Sequence, residues 1–157
     1  MRPKIIVLYG GISDEREVSL RSGEAVARGL EEAGFQVERH DLQEDRIPAS
    51  WNPRDALIFP ILHGTFGEDG QLQEQLERGG FEFVGSDSIA SRVCFDKELA
   101  LLTAERIGVP TANRLVAQRE EIHVEEALQK VGFPAILKPA CQGSSVDLYP
   151  LENADEL

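Results

Sequence analysis

Four groups of residues in this sequence have the types and spacing to do chemistry. The first is Gly10-Gly11-Ile12-Ser13-Asp14-Glu15-Arg16-Glu17, where paired glycines end an apolar run and acidic residues follow at once. A phosphate or dinucleotide loop offers bare backbone N–H groups and reads G-x-G-x-x-G or G-x-x-x-x-G-K-[ST]. This stretch fits neither pattern, and Glu15 and Glu17 would repel phosphate. Glu15 is better suited to a ligand's ammonium group, although complementing a helix dipole would suit its position equally. The second group is His63-Gly64-Thr65-Phe66-Gly67-Glu68-Asp69-Gly70. His63 is open to three readings: a satisfied loop histidine, a metal ligand, or a group that meets a ligand carboxylate. Without a nearby second histidine or spaced cysteines the metal reading is the weakest, and Glu68 or Asp69 can hold the imidazole in one tautomer and keep it cationic. The third is Asp96-Lys97, where the lysine by itself reads as a solvated charge. The fourth is Lys138-Pro139-Ala140-Cys141-Gln142-Gly143-Ser144-Ser145-Val146, a lysine followed by a flexible loop whose glycine and serines offer N–H and hydroxyl donors to phosphates; an ordinary hairpin fits the same residues.

The elements that must position these groups follow from apolar pattern. Ile5, Ile6, Val7 and Leu8 do not alternate, which predicts a strand covered on both faces, and Ser13 is placed to cap the helix that follows. On that helix Val18, Ser22, Ala25, Val26, Gly29 and Leu30 recur at helical spacing, and Gly34 ends it. Residues 35–42 and 56–62 read as the second and third strands, Pro60 demoting the end of the third to an edge or bulge. A helix over 71–78 and a fourth strand over 81–84 complete a parallel, doubly covered sheet, with the first two chemical groups facing each other at the carboxyl ends of its strands, where such sheets bind ligands. Residues 86–107 are helical in pattern. Residues 113–117 look like the first strand of a different unit, followed by a helix over 124–131, a strand over 135–137, a return strand over 146–151 and a helix opening at 152–157 with Asn153 as its cap.

Taken together, GGISDEREVSL, HGTFGEDGQLQ, the Asp96-Lys97 pair and ILKPACQGSSV stand in the order and approximate spacing of D-alanine–D-alanine ligases of the ATP-grasp superfamily, which the chain resembles over essentially all of its length. The resemblance implies an α/β fold: a parallel sheet flanked by helices, Rossmann-like, over residues 1–93, followed by an incomplete α+β ATP-grasp subdomain over 94–157, the start of a truncated second domain. By resemblance Glu15 engages the ammonium of the first D-alanine with Val18 beside its methyl group, while His63, supported by Glu68, faces its carboxylate. Lys97 and Lys138 resemble lysines that contact ATP phosphates, and Gly143, Ser144 and Ser145 the loop beside them. Glu15 and Ser144 take catalytic parts, Ser144 helping to organise the active site. The implied reaction joins two D-alanines at the expense of ATP for peptidoglycan precursors, and the magnesium it uses has its ligands downstream of this chain. No metal ligand is expected within it, and these 157 residues alone are expected to be inactive. Asp147 departs from the pattern, since the family usually has glycine there, and Tyr149 does not match the tyrosine that partners the loop serine. Another ATP-grasp carboxylate–amine ligase and a non-catalytic ligand-binding module of the same fold are the alternatives.

Composition sets limits of its own. At 157 residues and 41% hydrophobic the chain can bury a core, as one domain or one domain plus part of another. A net charge of −12 argues against nucleic-acid or anionic-membrane partners and for small molecules, which the resemblance implies are D-alanine and ATP. The absence of a long apolar run or signal-peptide core implies a cytoplasmic protein, and Cys94 and Cys141, far apart, imply reduced thiols. A homodimer is left open as the assembly.

Overall fold

The computed structural model describes residues 3–118 and 123–156. It divides into two compact units, Met1–Phe95 and Asp96–Leu157. In the first, β1 (Lys4–Gly10) lies between β2 (Gln36–Leu42) and β3 (Leu57–Pro60), both parallel to it, with Ile5 opposite Val37 on one side and Leu57 on the other. The central position explains the unbroken apolar run. Ile6 and Leu8 point into a core with Leu42, Ile58, Leu62, Phe66, Leu72 and Leu76, the last two from α2 (Gln71–Arg78). Ile5, Val7 and Tyr9 point the other way, against Ala27 of α1 (Arg16–Glu32). Burial of β1 on both faces is the hydrophobic contribution that fixes where its carboxyl end, and so the Gly10-Gly11 turn, must stand.

Helix α1 packs Val26 and Leu30 against the sheet as its spacing suggests, but its most buried residues are others. Ser19, Gly23 and Ala27 are buried, whereas Val18 and Ala25 are exposed. The reason is close approach: a Cβ on Gly23 would stand 2.5 Å from Cβ of Tyr9, so only glycine lets the helix come this near. Residues 81–84 do not extend the sheet as a strand. They contribute a single bridge, Phe83 beside Ile58, with Ile58 N–H donating to Glu82 O and Val84 N–H to Ile58 O, both at 2.9 Å. Glycines at 79, 80 and 85 bound the segment, and β3 itself is short, so pairing stops after one residue. The chain then forms α3 (Ser88–Phe95).

The expected helix over 86–107 is two helices. Asp96 is extended, and its carboxylate accepts the N–H groups of Glu98 (2.9 Å) and Leu99 (3.1 Å), capping a new helix α4 (Lys97–Arg106). Within the second unit follow α5 (Val124–Lys130) and an antiparallel pair of short strands, β4 (Ala135–Leu137) and β5 (Tyr149–Leu151), with Ala135 opposite Leu151. Residues 113–117 are irregular, and residues 146–148 turn before β5 begins. A 3-10 turn over Ala154–Glu156 stands where a helix was expected, and the Asn153 side chain accepts the Asp155 N–H there at 3.0 Å. Leu157 lies outside the described residues. Among the described residues no helix is long and apolar enough to cross a membrane.

Candidate functional site

In the first unit the two loops at the carboxyl ends of β1 and β3 are joined by side chains of the first helix and turn. Gly10 and Gly11 both have φ +84, a backbone that only glycine adopts freely, and this reverses the chain after β1. Ser13 then stitches across, its hydroxyl donating to His63 O at 2.7 Å and accepting the Glu15 N–H at 3.2 Å. Ser19, wholly buried, accepts the Gly10 N–H at 2.8 Å and donates to Ile61 O, binding the ends of β1 and β3 to one hydroxyl. Glu15 is the N-cap residue of α1, and its carbonyl accepts the N–H groups of Val18 and Ser19 at 3.0 Å. Its carboxylate reaches the second loop: a Cβ on Gly64 would lie 3.5 Å from Glu15 Oε1 and 3.3 Å from Ser13 Oγ.

The second loop is internally fixed. Gly64 N–H donates to Glu68 Oε2 at 2.9 Å while Glu68 N–H donates to Gly64 O at 2.9 Å, and Glu68 Oε1 lies 3.6 Å from His63 Nδ1. Asp69, the other candidate partner for the imidazole, is used elsewhere: it accepts the Phe66 N–H at 2.9 Å and the Gln71 N–H at 3.1 Å. That supports Phe66 at φ +71, a buried non-glycine residue in the left-handed region. Buried Gln73 donates to Gly67 O at 2.8 Å. The far nitrogen of the imidazole, Nε2, stands 3.1 Å from Ser22 Oγ, whose hydroxyl also lies 2.8 Å from Val18 O. With the serine proton on Val18 O, the imidazole donates to Ser22 from Nε2 and faces the Glu68 carboxylate with Nδ1. Glu15, His63 and Glu68 therefore gather at one end of the sheet, two carboxylates beside an imidazole. Val18 sits in the first turn of α1 with its side chain exposed.

A guanidinium fixes this turn from below. Arg16 binds Asp41 with both nitrogens, Nη1 to Oδ1 at 2.8 Å and Nη2 to Oδ2 at 2.7 Å, and Nη1 also donates to Gly11 O (3.1 Å) and Leu42 O (3.2 Å). The hydrogen bond from Arg16 holds the Asp41 carboxyl below its usual range. A Cβ on Gly10 would collide with both partners of this pair.

The remaining predicted residues lie in the second unit. Lys97 opens α4; Lys138 follows β4 directly and is exposed. Gly143, Ser144 and Ser145 form a tight turn closed by Val146 N–H to Gly143 O at 3.0 Å, with Ser144 at φ +50 and Ser145 at φ +60. Asp147, also left-handed at φ +51, accepts a hydrogen bond from the Tyr149 hydroxyl at 3.3 Å. Glycine is the residue this backbone prefers, and aspartate is among the few others that tolerate it. Among the described residues no group of three His, Cys, Asp or Glu side chains can hold a metal ion.

No family model matches the sequence. Over 155 residues it is 39% identical to a D-alanine–D-alanine ligase of Haemophilus ducreyi, covering 98% of this chain and 51% of that protein. A D-alanine–D-alanine ligase of Pseudomonas entomophila is 40% identical over 154 residues, covering 98% of this chain and 48% of that one. The crystal structure of D-alanine–D-alanine ligase from Bacillus anthracis superimposes with a TM-score of 0.86 at 29% identity, covering 99% of this chain and 51% of that chain. This chain is related to the D-alanine–D-alanine ligases. It spans about half the length of the curated relatives it matches. The same Bacillus anthracis ligase complexed with ATP matches with a TM-score of 0.83 at 28% identity. The α/β architecture, with its parallel sheet flanked by helices and a smaller second unit, is thus that of the ligases.

Reading the sequence missed Ser13 as a stitch, Ser19, Ser22 and the Arg16–Asp41 pair. Ser19 and Ser22 carried a usable signal, two hydroxyls three residues apart in the first two turns after Glu15. The ion pair carried none, because its partners lie 25 residues apart and meet only when β2 pairs with β1.

Proposed function

We propose that this chain supplies the first-substrate site and part of the nucleotide site of an ATP-dependent D-alanine–D-alanine ligase, with Met1–Phe95 as the substrate-binding domain and Asp96–Leu157 as the beginning of the ATP-grasp domain. The observation that carries the reading is the juxtaposition of the Glu15 carboxylate with His63 and Glu68 across the Gly64 backbone. A zwitterionic amino acid needs an anion for its ammonium and a cationic donor for its carboxylate, a short distance apart. Glu15 takes the ammonium, His63 exchanges its Nε2 hydrogen bond to Ser22 for one to the ligand carboxylate while Glu68 supports the ring, and Val18 stands beside the methyl group. Relatives named as ligases of D-alanine at 39% identity support the same substrate.

ATP, as the co-substrate, supplies the phosphoryl group that activates the first carboxylate. Lys97 and Lys138 offer charge to its phosphates, and the turn at Gly143, Ser144 and Ser145 offers N–H and hydroxyl donors, which fits an anion. The ATP-bound relative supports this part. Magnesium belongs to the same reading, but the described residues offer no ligand set for it, and no step here is routed through it. The reading also takes a cytoplasmic protein with no nucleic-acid or membrane partner, the last two supported by the net charge of −12, and leaves a homodimer open. Phosphate release with ATP, magnesium and D-alanine, measured on the natural gene product carrying this sequence, tests the proposal. Glu15→Gln should cost of order a few kcal/mol at the first D-alanine site while nucleotide affinity is unchanged. Normal D-alanine dependence in that variant would remove Glu15 from its role.

A further inference from the structure

The second unit shows Lys97 engaged with the loop that follows Lys138. Its ammonium donates to Ala140 O at 3.2 Å and to Gln142 O, and its backbone N–H donates to the same Ala140 O at 3.1 Å. These partners are 43 and 45 residues away along the chain. The arrangement follows from how α4 begins. Asp96 satisfies the N–H groups of Glu98 and Leu99 with its carboxylate, which leaves the N–H of Lys97 to find an acceptor outside the helix. The Ala140 carbonyl provides it, and the side chain of the same lysine closes over that carbonyl and the one of Gln142.

Just beyond these carbonyls the backbone adopts a conformation that non-glycine residues resist. Ser144, Ser145 and Asp147 all have φ between +50 and +60. A turn of this kind needs external support, and the bonds from Lys97 stand immediately before it.

We infer that Lys97 is the positioning residue of the glycine–serine loop: before any nucleotide arrives, its ammonium holds the Ala140 and Gln142 carbonyls and so sets where Gly143, Ser144 and Ser145 present their donors. This rests on the proposed function only for the loop's purpose. The phosphate contact assigned to Lys97 becomes a second duty of the same ammonium, taken up by exchange of carbonyl oxygens for phosphate oxygens.

Amide hydrogen exchange across residues 138–148 of this chain, without nucleotide, tests the assignment. Lys97→Met should accelerate exchange in the loop about tenfold or more while β1 and α1 keep their rates, because charge-assisted bonds are removed at one place only. Lys97→Arg, which can still donate to both carbonyls, should stay within about threefold of the parent chain in the same peptides. Equal loop exchange in the parent and Lys97→Met chains would overturn the positioning role, as would a Lys97→Arg loop as fast as that of Lys97→Met. Binding of ATP to the natural gene product carrying this sequence, with and without Lys97→Met and measured separately by equilibrium dialysis, decides the phosphate reading. Loss of loop protection in Lys97→Met with unchanged ATP affinity would leave the positioning role standing and remove the nucleotide role.

Discussion

Arg16 shows how a single residue sets the geometry of the candidate site. It lies next to Glu15, yet its bonds run downward to Asp41, Gly11 and Leu42, so the turn that carries Glu15 is tied to the end of β2. The Asp41 carboxyl titrates below its usual value of 3.8 in the folded chain because Arg16 hydrogen-bonds it. A lowered folded value means that the pair's stabilisation is fully present above the unfolded value and is lost as pH falls through the folded one. Arg16→Met should therefore raise the Asp41 carboxyl toward 3.8 and weaken the loss of stability below that pH. Carboxyl-detected NMR titration of both chains measures the shift, and an unmoved Asp41 would show that the pair does not control it. Gly64 makes a companion case. Its φ is +68, and an added Cβ would sit 3.3 Å from Ser13 Oγ, so Gly64→Ala should cost about 1–2 kcal/mol in backbone strain, displace Ser13 slightly and narrow the space beside Glu15. Denaturant unfolding gives the first effect and D-alanine titration the second. At Asp147, substitution by glycine relieves a left-handed aspartate and removes a negative charge near the proposed phosphate loop, so Asp147→Gly should strengthen ATP binding; unchanged affinity would mark a neutral position. Residue types alone revealed Glu15, His63 and Glu68, because charge and loop glycine are local signals. They concealed Arg16–Asp41 and the latch of Lys97 on Ala140, which depend on partners distant in sequence.

At the scale of elements, β1 was the most legible part of the chain, since an apolar run without alternation means burial on both faces and the structure provides both. Leu8 is fully buried within one of those faces, so Leu8→Ala should destabilise the first unit by about 2–5 kcal/mol, readable as a fall in the denaturation midpoint. Elements whose existence depends on partners were less legible. The segment at 81–84 has strand composition but meets β3 at only one residue, and 113–117 has the composition of a strand without forming one. The helical pattern over 86–107 runs on through Asp96, although aspartate favours N-caps over helix interiors, and its extended backbone makes it a cap. In the second unit, Arg114 and Thr111 hydrogen-bond Glu105 and bring its carboxyl down to about 2. By the same sign argument this link persists through mildly acidic pH and is lost only as pH falls toward that value.

For the whole molecule, the buried hydrophobic residues are unevenly divided: among those described, Leu151 alone falls in Asp96–Leu157. Ile136 and Tyr149 of its strand pair are exposed. The first unit should therefore carry the slowest-exchanging amides, with exchange in β4 and β5 faster, since little apolar burial offsets chain entropy there. The proposed first-substrate site lies wholly within the better-packed unit, which makes it testable in this chain itself. The most direct measurement is a D-alanine titration of the isotopically labelled chain, following backbone and side-chain resonances of residues 10–22 and 62–70. The account predicts saturable shifts at Glu15, Ser22, His63 and Glu68 that vanish in Glu15→Gln while the fold is unchanged. Absence of any response at these residues, or an undiminished response in Glu15→Gln, would contradict it.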